Sequence, residues 1–438
     1  MGKSFLSAIA LLFFSGLAAG QAPYLKLHQE AIVADTHNDV LSSATMKGLN
    51  IEDDLSGKTY SDIARLKKGG VDIEVFSIFC NDKFGKDTAF KFANIEIDSL
   101  YAIVGRNHDK LALVKTPNQL AKALAAHKLA CMIGVEGGHM IEDRLDYLDT
   151  LYKRGARYLT LTWNNSTSWA SSARDESQHI LRPAPLDPAR TNEPARKPVL
   201  RRNTKKKAPA NQTLLQEDST KGLTWFGRRV VRHMNKLGMM VDLSHVGEQT
   251  FWDAIAVTKK PVLVSHSCVY DICPVFRNLK DEQILAVGRN GGVIDINFYS
   301  GFIDSNYLKR KDAFVASHTA EIDSLKKLQP GDFDTDAWLG KMHKADLESW
   351  RPPLSLLLDH IDYIVNLVGA DHVGIGSDFD GIESTPKELN DVTDLPLITK
   401  GLLERGYSET DIKKILGGNF IRVFKANAVV RKSKPKPT

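Results

Sequence analysis

The chain has 438 residues, 42% of them hydrophobic, 25% charged and 8% aromatic, the composition of a soluble globular protein; this excludes wholesale disorder, collagen-like repeats and a polytopic membrane protein. Lys and Arg outnumber Asp and Glu by 58 to 53, but residues 174–221 alone hold 11 basic against 6 acidic side chains, so the rest of the chain is balanced. The positive charge belongs to one segment, and no nucleic-acid partner is expected.

In chain order, Lys3, an apolar run from Phe5 to Leu17 and the small residues Ala18, Ala19 and Gly20 predict a secretory signal peptide over 1–20. That run is shorter than the ~20 residues needed to span a bilayer, so no membrane span is expected and the mature protein should be secreted or periplasmic. Short β-branched or apolar runs then recur at Ala31–Ala34, Val71–Phe79, Ala130–Val135, Tyr158–Thr162, Met239–Leu243, Pro261–Val264, Gly292–Asn297 and His372–Gly376. Helical patterns such as Phe90–Val104, Leu145–Lys153, Phe226–Lys236 and Leu354–Leu367 separate them. Eight strand-helix units predict an α/β fold of the (β/α)8 type, a single catalytic domain over 21–428 with a flexible basic tail at 429–438. Two loop insertions interrupt it. The Pro-rich basic segment 174–221 holds six of the 17 prolines and reads as a solvated excursion, or as an arm for anionic envelope polymer. The segment 301–350 carries charged helical stretches such as Ala316–Leu328 and is expected at the rim or as a lid.

Residues of metal-ligand type follow these strands. His37 and Asp39 come after the first, where an extended backbone would point both to one side. Glu136 ends the third, in Gly134-Val135-Glu136-Gly137-Gly138, and a buried carboxylate there requires a cation or a strong hydrogen-bond partner. His245 and His266 close the fifth and sixth, each after an apolar run and a serine. Asp378 follows the eighth. The C-terminal ends of barrel strands form one rim, so these distant positions are expected to converge. Three imidazoles and two carboxylates exceed the needs of one four-coordinate ion but suit two divalent ions ~3.5–4 Å apart sharing Glu136. Mixed N and O donors point to two zinc ions, with manganese, iron and cobalt also compatible. Asp378 is the candidate proton carrier, ahead of Asp380, which is expected to order the turn. Arg277 is a candidate clamp for a substrate carboxylate, a surface salt bridge being equally open. Cys80 and Cys131 read as core residues; Cys268 and Cys273 would pair only if the intervening turn brings them close.

At these positions the chain resembles the membrane (renal-type) dipeptidase family of binuclear zinc hydrolases, from Ala31 to about Phe424. The matching stretches are Asp35–Asp39, Gly134–His139, Tyr158–Thr162, Val241–Val246, Ser265–Ser267 with Arg277 and Asn278, Asn297-Phe298-Tyr299, and Gly376–Gly381. The resemblance implies one zinc on His37, Asp39 and Glu136, a second on Glu136, His245 and His266, proton transfer by Asp378 and contact of Arg277 with the carboxylate of a dipeptide. It also exposes a departure. After Tyr158–Thr162 the mammalian-type enzymes carry a histidine thought to support the oxyanion, whereas this chain has Trp163, which offers a single N–H and does not titrate. Trp163 is instead a candidate for shaping the pocket of a substrate side chain.

The function expected is thus an exported metallo-dipeptidase in which a hydroxide shared by two ions attacks the amide. Amide or lactone hydrolysis at the same centre, and non-catalytic envelope binding through 174–221, are the rivals. A small dipeptide is the expected partner; homodimerisation is left open.

Overall fold

In the computed structural model the residues described are 22–178, 221–328 and 335–429. The expected signal peptide, the tail from 430 and the bulk of the basic insertion lie outside them. Nine parallel strands form the sheet: β1 Val33–Asn38, β2 Val71–Phe79, β3 Leu111–Leu113, β4 Leu129–Glu136, β5 Ala156–Thr160, β6 Met240–Asp242, β7 Leu263–Ser267, β8 Val293–Ile296 and β9 Val373–Ile375. Eight follow one another in the order β1-β2-β4-β5-β6-β7-β8-β9, and β3 is a side strand on β4. The circuit closes where the Asp378 N–H donates to the His37 carbonyl at 2.9 Å and the Asp39 N–H to that of Phe379 at 2.8 Å. All eight expected strands are present, and the fold is the (β/α)8 barrel.

Helices cover the outside, which is why the strands are buried on both faces and read as apolar runs rather than as alternating patterns. Their ends follow local chemistry. Thr116 accepts from the Gln119 N–H ahead of Pro117–Ala125, and Gly238, at φ +85°, ends Trp225–Leu237 in the left-handed conformation. The four expected helices each fall within two residues of Ala89–Arg106, Leu145–Arg154, Trp225–Leu237 and Leu354–Val368. Beyond β8 the chain runs through helices at Ser305–Ser317, Thr319–Leu328, Thr335–Met342 and Lys344–Trp350, so Ala316–Leu328 is divided at His318. These helices have a small core of their own around Tyr307, Ile322, Trp338, Leu339, Leu347 and Trp350.

The barrel interior is layered. Ala34, Ile73, Met132, Met240, Leu263 and Val293 form an apolar floor, closed by Phe420, Val423 and Phe424 of the C-terminal helix Asn419–Asn427. Above it the Thr36 hydroxyl donates across the barrel to the Ser265 carbonyl (2.9 Å) and the Asp295 carboxyl (2.9 Å). β1 is not the sheet neighbour of β7 or β8, so these bonds span the interior and rigidify the platform for the residues above.

All four cysteines are free and buried. The open question of Cys268 and Cys273 resolves as two separate thiols, donating to the carbonyls of Asn297 and Gly301 respectively.

The candidate metal centre

His37 lies within β1, Glu136 ends β4 and His266 lies within β7, while Asp39, His245 and Asp378 follow β1, β6 and β9. The structure brings all six together. His37 Nε2 is 3.4 Å from Asp39 Oδ2, 3.5 Å from Glu136 Oε2 and 3.9 Å from Asp378 Oδ1. On the other side of Glu136, Oε1 is 2.9 Å from His245 Nε2 and 3.5 Å from His266 Nε2. The two oxygens of Glu136 therefore face different imidazoles, the geometry of a bridging carboxylate. His37 and Asp39 converge for a different reason from strand alternation: Asp39 has already left the strand (φ −93°, ψ 9°) and opens the helix Val40–Lys47.

The remaining ring nitrogens fix which one faces inward. Tyr158 donates its hydroxyl proton to the Thr36 carbonyl and so accepts from His37 Nδ1 at 2.8 Å. Ser265 donates to Asp242 at 2.7 Å and accepts from His266 Nδ1 at 2.8 Å. The Asn164 side-chain oxygen, which only accepts, holds His245 Nδ1 at 3.1 Å. Each imidazole thus carries its proton on Nδ1 and turns Nε2 inward, the arrangement found around metal-binding histidines. His37 Nε2 is buried without a hydrogen bond. His245 and His266 bring their Nε2 atoms to 2.9 Å, where two lone pairs repel unless a cation lies against them. The donor set fits a binuclear divalent-metal cluster.

Electrostatics agree. Burial, then Arg277, takes the His245 pKa down to about 3, and burial with neighbouring His37 holds His266 well below its ordinary value; both are neutral, as ligands must be. Burial opposes charge on His37, yet Tyr158, Glu136 and Asp39 hold its imidazolium form well above the ordinary value. Burial would raise the Glu136 carboxyl, but His37, with His245 and His266 also against its oxygens, keeps it well below the carboxylate range. The bowl favours positive charge, which divalent ions would supply with every imidazole neutral.

Two residues here hold backbone conformations unusual for non-glycine residues: His245 at φ +64° and Asp378 at φ +61°. Asp378 Oδ2 accepts from Asn297 Nδ2 at 2.8 Å, leaving Oδ1 toward His37. Burial, followed by the nearby Asp39 and Glu136, pushes its carboxyl well above the usual range against the pull of His37. Gly381 packs so closely that a Cβ would fall 2.2 Å from Asp39 Oδ2 and 2.6 Å from Asp378 Oδ1. Asp380 is not among the grouped donors; it accepts from the Tyr60 N–H (2.8 Å) and the Ser61 N–H (3.3 Å), tying the loop ahead of Ile63–Lys68 to the end of the last strand rather than ordering its own turn.

Arg277 is buried rather than a surface ion pair. It donates to Ser267 Oγ (3.4 Å) and the His266 carbonyl (3.3 Å), and its Nε has no partner. With His245, Val246, Tyr270 and Phe276 it lines a cleft of about 250 Å³. Trp163 stands at the rim, its ring 4.9 Å from that of Phe79 and 6.5 Å from that of His245. Tyr158, Asn164, Asp242 and Ser265, which orient the histidines, were not singled out in the sequence; a charged Asp242 inside an apolar strand was the available signal.

Human dipeptidase 3 is 27% identical over 403 residues, covering 91% of this chain and 66% of that protein; the mouse protein is 27% identical over 413 residues, covering 93% and 66%. The chain thus spans just under two thirds of the length of these curated relatives. Among solved structures, a probable dipeptidase from Pseudomonas aeruginosa superposes with a TM-score of 0.69 at 23% identity, covering 92% of this chain and 97% of that one. A metallopeptidase from Rhodobacter sphaeroides, liganded with a phosphinate mimic of L-Ala-D-Ala, superposes with a TM-score of 0.65 at 22% identity, covering 91% and 100%. Both share the fold. The family model described as membrane dipeptidase, peptidase family M19, matches residues 22–184 and 202–438, and the chain belongs to that family.

Proposed function

We propose that this chain is an exported zinc-dependent dipeptidase. The observation that carries the reading is the convergence of three inward Nε2 atoms on the two oxygens of Glu136. His37, Asp39 and Glu136 would hold one ion and Glu136, His245 and His266 the other. Two divalent ions held there would supply a Lewis acid for the scissile carbonyl and would lower the pKa of a bound water to ~7. Buried Arg277 receives the carboxylate of the dipeptide, which explains a guanidinium whose Nε lacks an internal partner. Asp378, anchored by Asn297 at one oxygen, uses the other to carry a proton to the departing amine. Trp163 and Phe79 wall the space for a substrate side chain. A cleft of about 250 Å³ suits a ligand below drug size.

Residues 21–428 are read as the catalytic domain with 174–221 and 301–350 as insertions, and the apolar run Phe5–Leu17 supports export. Among the described residues no helix is long and apolar enough to cross a membrane. The test is a substrate panel on the zinc-loaded protein: dipeptides, including some with a D-residue at the C-terminal position, against N-acyl amino acids, β-lactams and lactones. Turnover of dipeptides above the others is expected. Turnover confined to another class would replace the reading.

A further inference from the structure

Outside the barrel bowl, one more grouping of metal-ligating side chains occurs among the described residues: His318, Glu321 and His343. His318 caps the end of helix Ser305–Ser317, Glu321 lies in the first turn of Thr319–Leu328, and His343 joins Thr335–Met342 to Lys344–Trp350. One donor atom of each lies within 4.8 Å of the others. The two rings are 5.1 Å apart, and His343 Nε2 is 3.9 Å from Glu321 Oε1, beyond hydrogen-bond reach.

The side chains are oriented as ligands are. His318 Nδ1 meets the Phe314 carbonyl at 2.8 Å; a carbonyl only accepts, so the proton sits on Nδ1 and Nε2 presents a lone pair. His343 Nε2 is shielded from solvent and makes no hydrogen bond. Glu321 is steered by the indole N–H of Trp338, which donates to Oε1 at 3.1 Å and leaves lone pairs for a cation. Phe314 stacks on His318 at 4.0 Å and Trp338 meets the His343 ring at 4.6 Å, so both imidazole planes are fixed by packing. Aromatic packing alone accounts for the ring positions. It gives no reason for a shielded imidazole nitrogen to lack a partner while a carboxylate and a second imidazole face it.

We propose that His318, Glu321 and His343 bind a divalent cation, zinc by donor type, that clips the helices of 305–350 together. An N2O donor set with a water in the fourth position is a common tetrahedral zinc arrangement. With bonds of ~2.0–2.1 Å the donors must close to about 3.3 Å from one another, a side-chain adjustment. The clip bears on the bowl indirectly. Lys311 Nζ (2.6 Å) and the Tyr299 hydroxyl (2.5 Å) both reach Glu383, in the loop that carries Asp378. The proposal is independent of what the barrel hydrolyses.

The test is metal analysis of the full chain saturated with zinc and dialysed, together with anomalous scattering at the zinc edge from its crystals. A third equivalent is expected, with an anomalous peak between His318 and His343. His343→Phe, which keeps an aromatic ring in the packed cluster, should lose that equivalent alone, leave dipeptide turnover within about two-fold and make residues 305–350 several-fold more sensitive to protease. Glu321→Gln should weaken zinc there at least ten-fold. Saturation at two equivalents with no anomalous signal at the cluster overturns the proposal, whether or not His343→Phe folds. Failure of the two barrel equivalents would instead count against the proposed function.

Discussion

The imidazoles of the bowl depend on groups that never touch a substrate. Tyr158 reaches His37 because Gly134 has no side chain: a Cβ there would fall 1.9 Å from the Tyr158 ring. Tyr158→Phe removes the acceptor that orients His37, and zinc affinity should fall about 10- to 100-fold, with turnover recovering at high zinc; equal affinity in a competition titration would show that the hydroxyl is not needed. Asp378→Asn keeps a polar side chain of the same size but removes the proposed proton carrier. Turnover should fall about 100- to 10,000-fold with metal content unchanged. A parallel loss of metal would identify Asp378 as a ligand instead. The candidate ligands were legible in the sequence because Glu136, His245 and His266 close apolar runs and His37 and Asp39 follow the first one, and barrel topology converts that into spatial convergence. Their supports were less so: Tyr158 and Asn164 are ordinary residue types that meet His37 and His245 only through tertiary contact, and Ser265, although next to His266 in sequence, donates to Asp242 on the neighbouring strand.

At the scale of the element, the helix Leu354–Val368 is tied to the strand ends by His360, which accepts the Val269 N–H at Nδ1 (3.0 Å) and donates from Nε2 to the Ile303 carbonyl (3.1 Å). Burial takes its pKa down to about 4 from 6.5. The unfolded chain binds a proton below about pH 6.5 that the folded chain refuses, so stability is present above that pH and declines as pH falls toward 4. The shift is worth on the order of 3 kcal/mol. In chelator-treated protein, His360→Gln should flatten the pH dependence of the denaturation midpoint between pH 6.5 and 4; an unchanged slope would assign it to other groups. The long strands and amphipathic helices were readable from periodicity. β3 was not, because its three residues carry too short a pattern to stand out, and the division at His318 was missed because Ala316–Leu328 keeps helical composition across the break.

At the scale of the whole molecule, the basic insertion leaves and re-enters the barrel at adjacent points. Ala170 pairs with Leu223, and the Gly222 N–H donates to Ser171 Oγ at 2.7 Å. Replacing 179–220 with a short flexible linker should leave dipeptide turnover within about two-fold, since its anchor points remain. Loss of turnover would place part of that segment in the substrate site. The barrel was legible from eight strand-helix units, but the layering of an apolar floor beneath polar cross-barrel bonds emerges only once the strands are in register. The proposed function makes peptide hydrolysis depend on the metal. The most direct measurement is dipeptide turnover by chelator-stripped protein as zinc is returned in known equivalents. No turnover in the stripped protein and recovery to a plateau once both barrel positions are filled is the predicted result; turnover that survives complete metal removal would contradict it.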